Sequence, residues 1–317
     1  LYSICGMAAT IHIDQEKVSY DLAPSLEYIC ESENHAYTIQ TISQQKFIQN
    51  NQRSISFSYR QPACWFRFSI NNRQQIEQLL FLSIPFALLD HIDLFEVDHN
   101  HITLSQAGDH HPYNQRQVLS NEPIFLLKIK ANTQLDYYLR VQTSSPFSLP
   151  IFLYSADQFS IENTYQQSVI GLFYGVTIGL LFYNIFLWLS TQERRQVYYI
   201  VYLIFGLLYF LHLHGFLFRF WPSSPIFNNY SFYASINAVS IFGFLFVKEY
   251  LYSGEKNRFT AGYNIIAGLI TVQALCSLVL PLFIVAKIAA LSTFFAVVFI
   301  LIFEPSIRSM IGTIVIR

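Results

Sequence analysis

The sequence predicts two parts of different fold class, an exported β-sandwich or jelly roll followed by an all-α bundle of transmembrane helices. Three observations carry this. Most of the charge lies before residue 168, period-two alternation of apolar and polar residues fills positions 38 to 155, and no charged residue occurs from Ser168 to Gln192. That last run exceeds the roughly 20 apolar residues needed to cross a hydrocarbon core. The averages of 53% hydrophobic, 17% aromatic and 12% charged residues therefore blend two unlike halves, since a soluble domain carries about 25% charge.

The elements follow in order. Residues 1–10, "LYSICGMAAT", fit the end of a secretory signal with small residues at Gly6, Ala8 and Ala9, and an ordinary first strand is the alternative. A periplasmic β domain is expected over 20–157. Its runs "SISFSY", "WFRFSI", "LLFLSI", "HIDLFEV", "IFLLKI", "YYLRVQ" and "LPIFLY" alternate, with turn chemistry in "NNRQ", "AGDHHP" and "SSPF". Seven or eight antiparallel strands result, and so many short strands bury one face in a sandwich. Cys30 and Cys64 both fall in this half. An oxidising compartment would allow a bond between them, and two buried thiols are the other reading.

Candidate ligand residues are few. Trp65 and Arg67 lie two apart on one face of "CWFRF", where an aromatic beside a guanidinium suits a sugar ring or a carboxylate. Against this stands a simpler reading, with Trp65 in the core and Arg67 paired to an acid. Asp109 and Tyr113, in and after the "AGDHHP" turn, complete the candidate set. Histidines 91, 99, 101, 110 and 111 crowd the same region. Their spacing matches no zinc pattern, so they read as solvated loop residues and no metal or other cofactor is expected. No nucleophile elbow, phosphate loop or dinucleotide fingerprint occurs, which argues against an enzyme. A net charge of -1 without a basic stripe argues against nucleic acid.

Residues 158–167 read as a linker and 168–304 as transmembrane helices, with five spans near Val169–Leu189, Val197–Phe218, Tyr230–Val247, Thr260–Leu280 and Ile284–Phe303. Arg194, Arg195, Lys248, Lys256 and Arg258 sit in links on one side, against Arg219 and Lys287 on the other. This bias places the first set in the cytoplasm and the β domain outside it. Within the first span Gly171, Gly175 and Gly179 keep a spacing of four, a face along which two helices can approach closely in lipid. Asn184, a polar group at membrane depth, is expected to bond a neighbouring helix. His212 and His214 read as interfacial, and "FRFWP" at 218–222 as an aromatic and arginine anchor at the outer surface.

The order of parts then becomes specific. "WFRFSI", "LLFLSIPFALLDHIDLFEVD" and "YYLRVQTSSPFSLPIFLY" lead into "GLFYGVTIGLLFYNIFLWLSTQERRQVYYIVYLIFGLLYFLHLHGF". From about residue 20 to 303 the chain resembles the bacterial seven-transmembrane receptors with diverse intracellular signalling modules. The likeness is strongest in the glycine stripe, at Tyr183 and Asn184, at Tyr198 and Tyr199, and in the "HGF" that closes the second span. It implies a jelly-roll sensor for carbohydrate-like ligands and a bundle that passes the signal to a cytoplasmic output. Only five spans are present, and residues 305–317 read as a short cytoplasmic or truncated tail, so the output is expected outside this chain. The expected protein is a multi-pass inner-membrane receptor. Its partners would be membrane lipid, a small-molecule or carbohydrate-like ligand, a cytoplasmic signalling protein and a second copy of the chain, and a non-signalling docking module is the alternative.

Overall fold

The computed structural model describes residues 10–13, 18–32, 35–50, 55–57, 62–98, 101–143, 147–252 and 258–276, with scattered positions from 280 to 298. It forms two units, one built from residues 1–169 with 213–226, the other from 170–212 with 227–317.

The first unit is a β sandwich. Its strands are β1 (Thr10–Ile13), β2 (Ser19–Asp21), β3 (Glu27–Cys30), β4 (Ile48–Gln49), β5 (Ile55–Phe57), β6 (Cys64–Asn72), β7 (Gln78–Ser83), β8 (His91–Asp98), β9 (His101–Ala107), β10 (Ile124–Ile129), β11 (Thr133–Gln142), β12 (Phe147–Leu149) and β13 (Phe152–Ser155), with a short helix α1 (Ile39–Ile42) before β4. One sheet runs β4-β3-β6-β11-β8-β9, a second runs β10-β7-β13-β2, and β12 pairs with β5. All these neighbours are antiparallel except β1, which runs parallel to the second half of β6. Pairing in the domain is already present at Thr10, opposite Ser69, ten residues before the expected boundary at 20.

Alternation explains the core. Cys64, Phe66, Phe68 and Ile70 on β6 and Leu135, Tyr137, Leu139 and Val141 on β11 meet Leu80, Leu82, Phe125 and Leu127 of the other sheet. Each such side chain contributes about 1.5–3 kcal/mol by leaving water. Phe68 also stacks on Tyr137 at 5.3 Å. Cys30 lies opposite Cys64 in the β3–β6 pairing, and the two are bonded. Closing a separation of 34 residues restricts the unfolded chain by about 4 kcal/mol.

Three departures from the sequence reading have physical causes. The expected run "LPIFLY" divides at Pro150 into β12 and β13, since proline donates no ladder hydrogen bond. β9 escapes the alternation test because it is an edge strand whose Ile102 and Leu104 are exposed, so no buried face marks it. The expected linker 158–167 is helix: α2 starts one residue after β13 and runs from Ala156 to Thr191 without a break.

Helices α2 (Ala156–Thr191), α3 (Arg194–Leu213) and α4 (Pro225–Leu251) are long and apolar enough to cross a membrane, whereas α5 (Arg258–Cys276) is shorter. The fifth expected span lies largely outside the described residues, as do residues 1–9 and the tail. On α2 the apolar side chains of Leu172, Phe182 and Phe186 are 66–70% exposed, an outward greasy face that only lipid or another protein would cover. In the second unit α3 and α4 join through Phe205 on Phe242, Tyr209 on Phe232, and Gly243, where a Cβ would lie 3.3 Å from Tyr202. His212 corrects the interfacial reading: it is buried, bonds the Leu208 carbonyl at 2.8 Å and the Ser231 hydroxyl at 2.7 Å, and ties α3 to α4.

The glycine stripe has no close neighbour among the described residues. Among the described residues a Cβ built on Gly171, Gly175 or Gly179 meets nothing within 4 Å. Asn184 is buried, but its amide donates to the Leu180 carbonyl one turn back in α2, at 2.8 Å. An asparagine can satisfy a donor on its own helix when no partner lies in reach.

Candidate functional site

The site grows out of the β8–β9 hairpin. Pairing continues beyond both strands: the Asp109 N–H donates to Leu89 O at 2.7 Å, and the His110 N–H to Asp90 O at 3.0 Å. Gly108 makes this closure possible, with φ +121° and a backbone so near its neighbour that a Cβ would stand 2.4 Å from Asp90 O. Only glycine adopts that conformation and clears that contact. In consequence Asp90, Asp109 and His110 bring one ligand-type atom each within 4.8 Å of one another. Thr143 donates to Asp90 Oδ1 at 3.1 Å. His91 Nδ1 and His111 Nε2 are 3.1 Å apart, and the His91 ring meets the His110 ring edge-on at 5.0 Å.

The electrostatics follow from burial. Asp109 is buried, and this together with the Asp90 charge pushes its carboxyl well above the usual carboxylate range, against a smaller opposing pull from Arg116. Burial also lowers the imidazoles of His91 and His111, and the neighbouring histidines add to it. These rings are half-buried. The expectation of solvated loop histidines therefore fails for His91 and His111, because the hairpin folds them onto its own base, whereas the His110 side chain is 33% exposed. His101 stays exposed, and His99 lies outside the described residues.

Beside this cluster stands Arg116, buried and fixed by donation from Nη1 to Ser120 O at 2.9 Å and from Nη2 to Gly108 O at 3.2 Å. Its guanidinium lies between the rings of Tyr113 and Phe218, 5.2 and 5.1 Å from their centres. Phe218 belongs to the segment that joins α3 to α4, and that segment is part of the β unit. The Tyr113 N–H donates to Pro222 O at 2.9 Å, and Arg219 Nε donates to the Tyr113 hydroxyl at 3.1 Å. Gly215, at φ +70°, approaches Asn121 so closely that a Cβ would lie 2.3 Å from its carbonyl oxygen. Leu217 and Phe218 are buried. The anchor expected at "FRFWP" is thus seated on protein through Phe218, Arg219 and Pro222.

A small polar recess lies between Ser83, Asn121, Glu122, Glu162, Asn163 and Gln166. Burial raises the Glu122 carboxyl to about 7.

The four expected ligand residues separate into two places. Asp109 and Tyr113 come together around Arg116. Trp65 and Arg67 share a face of β6, as expected, on the side away from the sandwich core, and Ile42 and Phe47 cover that face. Trp65 is 1% exposed; its indole donates to Glu31 Oε1 at 2.8 Å and stacks on Phe95 at 5.4 Å. Arg67 pairs with Glu27, Nε to Oε2 at 3.1 Å, under the ring of Phe47. Neither side chain offers an open surface to a sugar ring. The sequence reading missed Asp90 and Arg116. Asp90 precedes His91 and so shares the histidine signal, whereas Arg116 is an isolated cation in a polar loop and carries none.

A β sandwich whose last strand runs directly into helices long and apolar enough to cross a membrane is the build of a membrane-anchored β domain. The family model described as 7TMR-DISM extracellular 2 matches residues 23–155, and that described as 7TM diverse intracellular signalling matches 166–305. The chain belongs to this receptor family and is a membrane signalling protein with an extracellular β domain. No curated protein matches it. Among solved structures it is similar to the carbohydrate-binding module TmCBM61 in complex with β-1,4-galactotriose, at 7% identity and a TM-score of 0.22 over 43% of this chain and 86% of that one. It is also similar to a family 35 carbohydrate-binding module from Clostridium thermocellum, at 11% identity and a TM-score of 0.23 over 44% of this chain and 98% of that one.

Proposed function

We propose that this chain is a multi-pass inner-membrane receptor whose periplasmic β domain senses a small, carbohydrate-like ligand and passes its state to the helices through the segment 213–226. The observation that carries the reading is the seating of that segment in the β unit by Tyr113, Arg116 and the Gly215–Asn121 contact. Ligand can shift an equilibrium between two arrangements only through contacts that differ between them. A segment fixed at once to the sensing domain and, covalently, to α3 and α4 is where such a difference would reach the helices. A cytoplasmic output would lie beyond the fifth span.

The test uses the full chain in lipid nanodiscs. A thermal-shift screen of neutral sugars, sugar acids and simple carboxylates identifies a ligand class by a saturable rise, which grows as the logarithm of ligand over Kd. Hydrogen exchange with and without the best ligand then follows residues 213–226. Altered exchange there supports transmission through this segment. Saturable binding that leaves it unchanged removes the route. No binding from a folded chain favours a docking module with a protein partner.

A further inference from the structure

We infer that Asp90, Asp109 and His110 form a binding site for a divalent transition-metal ion of zinc-like chemistry. This goes beyond the receptor reading and does not depend on it.

Convergence is the first ground. Three ligand atoms within 4.8 Å of one another share a point no more than about 2.8 Å from each, so closing to zinc distances of about 2.0–2.2 Å asks for a movement of less than an ångström. His110, the most exposed of the three, can supply much of it by rotating.

The second ground is independent of the first. Asp109 Oδ1 is fully buried and makes no hydrogen bond in a side chain that is 5% exposed, and it faces His110 Nε2 at 3.9 Å. A buried carboxylate oxygen without a donor costs several kcal/mol unless a cation or a proton meets it. Asp90 stands beside it as a second carboxylate, and Arg116, whose charge also acts on Asp109, makes no hydrogen bond to Asp109 Oδ1 and leaves its own Nε without a hydrogen-bond partner among the described residues. Arg116 spends its Nη1 and Nη2 donors on the carbonyls of Ser120 and Gly108.

The donor set selects the class of ion. Two carboxylates with one imidazole suit zinc and its neighbours, whereas calcium and magnesium prefer oxygen alone. Three protein ligands leave a fourth position for water or for an oxygen of a bound molecule. The supporting shell is in place as well: Thr143 orients Asp90 through Oδ1, Gly108 fixes the Asp109 backbone, and the His91 ring stands edge-on to His110. Such outer contacts hold metal ligands in their working orientation.

The experiment titrates zinc chloride, and separately calcium chloride, into the tag-free full chain in nanodiscs after chelator dialysis, by calorimetry. One saturable zinc site per chain is expected. Asp109→Asn and His110→Ala should each weaken it by about 100-fold, while His101→Ala, an exposed histidine of the same hairpin, should leave it unchanged. Cobalt substituted in the wild-type chain should give the absorption of a mixed oxygen and nitrogen site. Absence of zinc binding by wild type overturns the site. So does binding that survives both Asp109→Asn and His110→Ala, and so does binding of calcium in preference to zinc.

Discussion

The guanidinium of Arg116 lies 5.1 Å from the centre of the Phe218 ring, although the two long apolar helices α2 and α3 separate the two in sequence. A cation held over an aromatic face in a desolvated setting is worth up to about 2 kcal/mol, and here the same cation also closes on the carbonyls of Ser120 and Gly108.

Replacing Arg116 by alanine should therefore lower the stability of the β unit by about 2–4 kcal/mol, read as a fall in thermal midpoint of the full chain. Arg116→Lys should recover little of it, because one ammonium cannot reproduce the forked donation to three carbonyls together with the contacts to both rings.

Glycine substitutions should divide sharply by place. Gly215→Ala and Gly108→Ala each put a methyl into a backbone carbonyl and force a positive φ on a residue with a side chain, and both should destabilise by more than 1 kcal/mol. Gly175→Ala meets open space among the described residues and should leave the midpoint unchanged or slightly raised. A large loss at Gly175 would mean that the stripe has a tight partner in the working protein.

Glu122 makes stability depend on pH. Its carboxyl rises from the ordinary 4.5 to about 7 through burial, so the folded chain holds the proton more tightly than the unfolded one. This contribution is full below about pH 4.5 and lost as pH rises through about 7. Glu122→Gln should match wild type at pH 5 and melt higher at pH 8, with thermal unfolding at both values as the check. Equal midpoints at pH 8 would place Glu122 in water.

Trp65→Ala should cost about 3–5 kcal/mol by cavity formation, together with the loss of the indole donor to Glu31. Trp65→Phe should cost less, because it keeps one aromatic ring in the packed site while losing the indole donor. A normal melt with lost ligand binding would instead give Trp65 a direct part in recognition.

The fold was legible where one chemical pattern governs a whole element. Alternation in "WFRFSI" marks β6 because Phe66 and Phe68 meet the core while Trp65 meets Ile42 of α1 and Arg67 meets Glu27 and Phe47, and the charge-free run marks the apolar length of α2 because charge is costly in lipid. The site was legible only in part, for a reason of geometry. Asp90 and Asp109 come together across a hairpin whose second strand has no buried face to announce it, so their distance in sequence conceals their nearness. Arg116 gave no signal, since its partners are three backbone carbonyls and the rings of Tyr113 and of Phe218 far along the chain. Trp65 carried two readings because adjacency on a strand fixes which face a residue shares but not what covers that face.

The seating of Phe218 sets an order of events during synthesis. A ribosome delivers the strands first, then α2 and α3, and only afterwards the segment that fills the space between Arg116 and Asn121. The β unit is therefore completed late, by a piece that follows two apolar helices. A version cut after β13 would keep its disulfide and its sandwich core yet leave Tyr113 and Arg116 facing water. A chain stalled before Phe218 would carry that end of the sandwich open to proteolysis.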